Sequence, residues 1–151
     1  MGAELTKPGR DYPPRPIVGV GAVIFQGDRV LLVKRGHEPS AGLWSIPGGA
    51  VRLGETLSRA LRREVAEEAG LKVRLGPLVA VCERIFRDQG GRVQYHYVLL
   101  DYLCHVVSGR PAAASDAAGL CLASPAELRR LRLTRGTRTV IEKARRLREE
   151  R

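Results

Sequence analysis

The first strong signal in the sequence is a pair of apolar runs near the N-terminus. Residues 17–25 and 29–35 are rich in β-branched and aliphatic side chains, and a short polar segment, 26–28, separates them. This combination is typical of two strands joined by a hairpin or a similarly tight reversal. Extended segments with the same kind of pattern recur farther along the chain, at 43–46, 71–86, 93–107 and 120–122.

Between Glu55 and Gly70, apolar residues recur every three or four positions, which predicts a helix. The apolar stripe consists of Leu57, Ala60, Leu61, Val65 and Ala69. Glu64 and Glu68 fall inside this stripe, and Glu67 lies at its margin. Burying an unpaired carboxylate costs several kcal/mol or neutralises the group. The helix therefore predicts a cation at this face, and a hard divalent metal, which prefers carboxylate oxygens, fits best.

Two more helices are predicted near the C-terminus. Ser124 and Glu127 have the spacing of a capping box, and 137–151 carries its apolar residues on one face. Because strands and helices interleave, we expect an α/β layered domain. The length of 151 residues suits one domain, so we expect a flexible lead-in over 1–14 and a single domain over 15–151.

Composition narrows the class of protein. The sequence has no apolar run long enough for a membrane span and no signal pattern at its start, so we expect a cytoplasmic protein that does not contact membranes. Its three cysteines, Cys82, Cys104 and Cys121, are widely spaced, as is typical of core residues in a reducing compartment. The net charge is +10, and 22 of the 26 basic residues are arginines. Solvated helix faces account for most of this charge, so a nucleic acid is not the expected partner.

The residues around the predicted helix have the chemistry of a phosphate-processing metal site. Gly48 and Gly49 precede it and allow a ligand or metal to approach main-chain oxygens closely. Glu64, Glu67 and Glu68 are neighbours on the helix surface and repel one another unless a cation binds them. Mg²⁺ is usually held by one or two carboxylates together with substrate phosphates. Such an ion orients a pyrophosphate and activates a water for attack at phosphorus.

This stretch resembles the Nudix box of the Nudix hydrolases at nine defined positions, Gly49-x5-Glu55-x7-Arg63-Glu64-Val65-x-Glu67-Glu68-x-Gly70-Leu71. The resemblance extends over roughly 15–133, and its details are similar to those of the compact ADP-ribose pyrophosphatase-like group. It implies an α/β/α sandwich with a mixed β-sheet. It also implies Mg²⁺- or Mn²⁺-dependent hydrolysis of a nucleoside diphosphate linked to another moiety.

The resemblance assigns metal-binding roles to the box. Glu64, Glu67 and Glu68 would be metal ligands, joined by the carbonyl oxygen of Gly48 or Gly49.

It also assigns residues around those ligands. Arg63 and Glu55 would orient them without binding the metal. The catalytic base is left open, with Glu64 or Glu67 in the box and Asp116, on the loop before the last strand, as the candidates.

Other residues are candidates for holding the substrate. Arg15, Arg35 and Arg84 could contact phosphates, because arginine suits phosphate recognition, although each could equally be a solvated side chain. Trp44 could pack on a base or ribose, or anchor the core.

The expected partner is a small nucleotide, and the leading substrate is ADP-ribose or a related NDP-sugar, cleaved to a nucleoside monophosphate and a sugar phosphate. The alternatives are a house-cleaning (d)NTP pyrophosphatase, an RNA 5′-end hydrolase and a catalytically silent nucleotide-sensing module. Since Nudix relatives often dimerise, a homodimer is a further expectation.

Overall fold

The two apolar runs near the N-terminus form an antiparallel β-hairpin in the computed structural model, which describes residues 10–111 and 119–150. β1 (Ile17–Gln26) and β2 (Arg29–Lys34) pair with Gln26 opposite Arg29. Gly27 in the turn has a φ of 64°, a left-handed conformation that glycine adopts without steric cost. The predicted tight reversal is therefore confirmed.

The remaining elements follow the order of the sequence pattern. They are β3 (Trp44–Ser45), β4 (Gly48–Ala50), α1 (Leu57–Ala69), β5 (Lys72–Arg87), β6 (Val93–Ser108), β7 (Leu120–Ala123), α2 (Pro125–Leu128) and α3 (Thr137–Glu149). None of the helices in the described ranges is long and apolar enough to cross a membrane.

The strands form one mixed sheet in the order β3-β2-β1-β6-β5, with β4 beside β1 and β7 beside β2. β1 and β6 run parallel, and the other pairs are antiparallel. β1 pairs with β4 along 19–21 but with β2 only at its far end, 25–26. β1 thus changes partner part-way along its length, and a cleft lies next to this change.

Helices cover both faces of the sheet, each over its own apolar cluster. On one face, Leu61 and Val65 of α1 pack with Val20 of β1. On the other face, Ile141 of α3 packs with Leu103 of β6. The five named side chains are at most 3% exposed. This arrangement confirms the predicted α/β/α sandwich around a mixed sheet.

Strands β5 and β6 are both continuous, although their pairing is irregular near Gly76 and Pro77. The pairing of β5 with β6 shifts register between Leu75 and Leu78, around Gly76 and Pro77. Proline cannot donate a ladder hydrogen bond, and it is tolerated here because β5 is an edge strand. The strand bends rather than ends.

Candidate active site

Helix α1 is held at both ends by cap residues, Thr56 and Gly70. The Thr56 hydroxyl accepts a hydrogen bond from the Arg59 amide at 3.1 Å. Gly70 has a φ of 68°, and its amide donates to the Ala66 carbonyl, as in a typical C-terminal cap. These caps and the buried Leu61 and Val65 fix the orientation of the helix, and with it the direction in which its glutamates point.

Arg63 joins the parts of the site. Its Nε and Nη2 atoms donate to the two carboxylate oxygens of Glu55 at 2.7 and 2.9 Å, and its Nη1 donates to Glu64 at 2.7 Å. Nη2 also donates to the Ala50 carbonyl at 3.1 Å. The Arg63 side chain is 17% exposed. Its hydrogen bonds hold the pKa of Glu55 at about 2. Arg63 therefore ties α1 to the loop before it and to β4.

Glu64 lies against the main chain of β4. A Cβ atom at Gly49 would collide with the Glu64 carboxylate, so only glycine leaves room for it. The side chain is 13% exposed, and burial raises its pKa, although Arg63 works in the opposite direction. Glu64 is thus a desolvated carboxylate in contact with one arginine.

Glu68 and Glu67 lie one turn farther along α1. Glu68 accepts a hydrogen bond from the Gly48 amide at 2.7 Å. Glu67 is 37% exposed, and its Oε1 atom is 3.5 Å from Arg63 and 4.0 Å from Arg52. The helix therefore presents Glu64 and Glu68 to the double glycine and Glu67 to the two arginines.

The oxygen donors of this site are ligands that a hard divalent cation prefers. Three carboxylates and the nearby main-chain carbonyls are the ligands that Mg²⁺ and Mn²⁺ prefer. Within 10–111 and 119–150, no three His, Cys, Asp or Glu side chains converge on one point, because Glu64 is turned toward Arg63 and Glu68 toward the Gly48 amide. A bound metal would compete with these two hydrogen bonds.

The glutamates border a cleft of about 1010 Å³. The walls combine the α1 carboxylates with Ile46, Tyr97 and Leu99, and with the N-terminus of α3 at Thr137. A space of this size suits a nucleotide conjugate. The cleft thus joins a carboxylate-rich end to walls that mix apolar and basic side chains.

Comparison with known proteins agrees with this geometry. The model of the NUDIX domain matches residues 15–144. The chain belongs to the Nudix hydrolase family. Members of this family act on phosphorus anhydride (pyrophosphate) bonds.

Two Nudix relatives carry names that differ in substrate. An ADP-ribose pyrophosphatase from Methanocaldococcus jannaschii is 34% identical over 102 residues, which is 68% of this chain and 58% of that protein. A Mycobacterium tuberculosis protein provisionally named 8-oxo-dGTP diphosphatase 2 is 40% identical over 113 residues, 74% of this chain and 75% of that protein.

A solved structure shows the same fold. It is the MutT Nudix hydrolase from Burkholderia pseudomallei, with a TM-score of 0.70 and 34% identity over 85% of this chain and 98% of that one.

The candidate substrate residues of this Nudix domain fall into two groups. Arg35 and Arg84 line the cleft. Arg35 donates to the Pro39 carbonyl at 2.7 Å. Arg84 donates to the Arg135 carbonyl from Nε and Nη2 at 3.1 and 2.8 Å, so part of its guanidinium fastens β5 to the start of α3.

The other candidates lie elsewhere. Arg15 is exposed and is absent from the described walls of the cleft. Trp44 packs in the cluster beneath α3, beside Ile46 and Leu133, so its position matches that of a core anchor. Asp116 lies outside the described residues.

Sequence reasoning missed two residues of the cleft. Asp101 on β6 is 7% exposed and lies 4.0 Å from the Cys82 sulfur. Burial raises its pKa to about 6, and Arg84 opposes this shift. An aspartate in the apolar run 98–104 was a usable signal. Arg10 also lines the cleft, but nothing in the sequence marks it, because its position depends on how the N-terminal segment docks.

Proposed function

We propose that this Nudix hydrolase is a metal-dependent pyrophosphohydrolase that cleaves a nucleoside diphosphate linked to another moiety. The observation that carries the proposal is the arrangement around Arg63. One arginine holds Glu55 and Glu64, while Gly49 leaves room for Glu64 and the Gly48 amide donates to Glu68. All of these groups border one cleft, apart from the supporting Glu55. A helix that served only for packing would not need this arrangement.

In the proposed mechanism, Glu64, Glu67 and Glu68 hold Mg²⁺ or Mn²⁺, with a carbonyl oxygen of Gly48 or Gly49 as a further ligand. The bound ion would neutralise charge on the pyrophosphate and lower the pKa of a water.

The chain's own residues position and desolvate the reacting groups. Arg63 keeps Glu64 ionised and oriented, and Glu55 in turn fixes Arg63. The proton of the attacking water passes to an acidic group, for which Glu64, Glu67 and Asp116 remain the candidates.

For the substrate, we propose ADP-ribose or a related NDP-sugar, cleaved to a nucleoside monophosphate and a sugar phosphate. The similarity to the archaeal ADP-ribose pyrophosphatase supports this choice. The matched region covers 58% of that relative's length, so the activity of the whole relative is carried to this chain only as a proposal.

A second candidate is a house-cleaning (d)NTP pyrophosphatase that releases pyrophosphate. The mycobacterial relative favours it, with higher identity over a larger share of both chains. An RNA 5′-end hydrolase and a silent nucleotide-sensing module are weaker alternatives. The silent module has little support because Glu64, Glu67 and Glu68 are all present.

The test is hydrolysis of a panel of nucleotides with Mg²⁺, with the products identified by mass. We expect AMP and ribose 5-phosphate from ADP-ribose. Efficient release of pyrophosphate from 8-oxo-dGTP, without cleavage of ADP-ribose, would replace the first substrate with the second. No turnover of any compound in the panel would refute the proposed activity.

We also propose a cytoplasmic location, which the free thiols at Cys82, Cys104 and Cys121 support.

We further propose a homodimer, because Nudix relatives often dimerise. Light scattering would test this.

A further inference from the structure

The segment before β1 is anchored to the turn between β5 and β6. The Tyr12 amide donates to the Gln94 carbonyl at 2.6 Å, and the Tyr12 hydroxyl donates to Asp88 at 2.8 Å. The Arg92 guanidinium carbon lies 4.5 Å from the centre of the Tyr12 ring. Tyr12 has a φ of 49°, which a side chain of this size rarely adopts unless its surroundings impose it. Tyr12 is therefore a fixed point of the segment.

Two residues before this anchor, Arg10 enters the cleft. It is half-buried and lines the same space as Arg35 and Glu64. Tyr97 lines the cleft as well; burial raises its pKa, and Arg10 opposes this shift. The charge of Arg10 acts on both Arg35 and Glu64 across the same cleft.

Arg10 and Arg35 form an unusual pair of like charges. Neither has a carboxylate within 4.0 Å in the described parts of the chain, since the ion pairs there involve other arginines. Burial lowers the pKa of Arg35, Tyr97 and Glu68 oppose this shift, and the charge of Arg10 adds to it. Two half-buried guanidinium groups that line one cleft, neither in an ion pair with a described carboxylate, offer donors to an anion bound between them. Arginine is well suited to bind phosphate oxygens in this way.

We propose that Arg10 and Arg35 clamp a phosphate group of the substrate, so that the N-terminal segment is part of the active site. The clamp lies at the carboxylate-rich end of the cleft, where Arg10 acts on Glu64 and Arg35 on Glu68. A diphosphate held there would contact the two arginines on one side and the metal-binding glutamates on the other. This inference rests on the proposed function for the identity of the anion.

The competing explanation is that Arg10 only balances the charge of the glutamates. If Arg10 were only a counter-ion of the carboxylates, it would weaken metal binding. Removing it would then lower the Mg²⁺ concentration needed for half-maximal turnover. A phosphate clamp would leave the Mg²⁺ requirement nearly unchanged and would act on the affinity for the phosphate compound.

The experiment compares Arg10→Gln with Arg74→Gln, which removes the same charge from an exposed position on β5 outside the cleft. With the best nucleotide substrate, we expect Arg10→Gln to raise KM roughly 10- to 100-fold, as for loss of a charged hydrogen bond, and to change kcat much less. Arg74→Gln should match the wild type. Arg10→Lys should restore part of the affinity. An unchanged KM in Arg10→Gln, or a lower Mg²⁺ requirement as its only effect, would overturn the clamp.

The anchor is tested separately with Tyr12→Ala, which releases the segment without touching the cleft. It should raise KM in the same direction as Arg10→Gln, and the double variant should be little worse than Arg10→Gln alone, because both changes remove one interaction. Fully additive effects on KM would contradict an anchoring role.

Binding of inorganic pyrophosphate in the presence of Mg²⁺, measured by calorimetry, separates this inference from the proposed function. If the wild type cleaves no nucleotide, the proposed function fails, yet weaker pyrophosphate binding by Arg10→Gln than by Arg74→Gln still supports the clamp. Equal binding by the two variants, or no binding by the wild type, overturns it.

Discussion

At the scale of single residues, Arg63 does the most to assemble the site. Its guanidinium reaches Glu55, Glu64 and the Ala50 carbonyl at the same time. The planar fork of arginine makes this possible, and the point charge of lysine cannot reproduce it. Arg63 also lies 3.5 Å from Glu67, but the shorter bonds go to Glu55 and Glu64.

We therefore expect Arg63→Lys to lower kcat by roughly 10- to 100-fold, as for loss of a residue that orients metal ligands. It should also reduce the free energy of unfolding by about 1–3 kcal/mol, because buried carboxylate oxygens lose their donors. Steady-state kinetics and urea unfolding measure the two effects. Wild-type kcat in this variant would show that Glu64 does not need Arg63 for its orientation.

Asp101 destabilises the fold when its buried carboxyl group is ionised, whereas the bonds of Arg63 stabilise it. Burial raises the pKa of its carboxyl group to about 6 from an ordinary value of 3.8. The unfolded chain then releases this proton more readily than the folded one, so stability falls as pH rises from about 4 to about 6 and is constant above.

Replacing Asp101 with Asn should remove this cost. We expect Asp101→Asn to raise the free energy of unfolding by about 1–3 kcal/mol at pH 8, following the size of the pKa change, and to have little effect at pH 4. Urea unfolding at both pH values gives the answer, with the exposed Glu83→Gln as the control. A gain that is equal at pH 4 and pH 8 would show that ionisation of Asp101 is not its source.

At the scale of elements, the site depends on how closely α1 approaches β4. The glycine at position 49 sets this distance, because a Cβ there would meet the Glu64 carboxylate. The Gly48 amide bonded to Glu68 holds the next turn of the helix to the same strand.

Gly49→Ala should displace the Glu64 carboxylate and lower kcat by about 100-fold through loss of metal stabilisation. Gly90→Ala is a matched control, because its nearest contact is an Asp88 oxygen at 3.5 Å on an exposed turn. If the two alanine variants were equally active, the packing of α1 on β4 would not control Glu64.

The elements themselves were predictable from the sequence to a large extent. The limits of α1, its caps and the placement of Glu64 and Glu68 follow from local periodicity and from Thr56 and Gly70. What local pattern could not give is the rest of the cleft. Arg10 reaches it through a contact between Tyr12 and Asp88, which are 76 positions apart, and Arg84 is drawn to the Arg135 carbonyl 51 positions away. Such contacts depend on tertiary docking, which local periodicity does not encode.

At the scale of the whole molecule, the two faces of the sheet contribute different groups to the cleft. The face covered by α1 carries the carboxylates, and the other face, with α3, contributes Ile46, Thr137 and Val140 to the wall of the cleft. The change of partner along β1 brings both to one opening. The resulting cleft holds anionic and cationic groups at one end, as a metal-bound diphosphate requires.

The most direct test of this account is the rate of nucleotide hydrolysis with Mg²⁺ for the wild type and Glu68→Gln, measured as nucleoside monophosphate released. Gln at this position keeps an oxygen for the Gly48 amide but loses the charge that binds a metal. The account predicts turnover by the wild type that disappears when EDTA is added, and a rate at least about 100-fold lower in Glu68→Gln with the fold intact. Equal rates for the two proteins, or wild-type turnover that persists in EDTA, would contradict it.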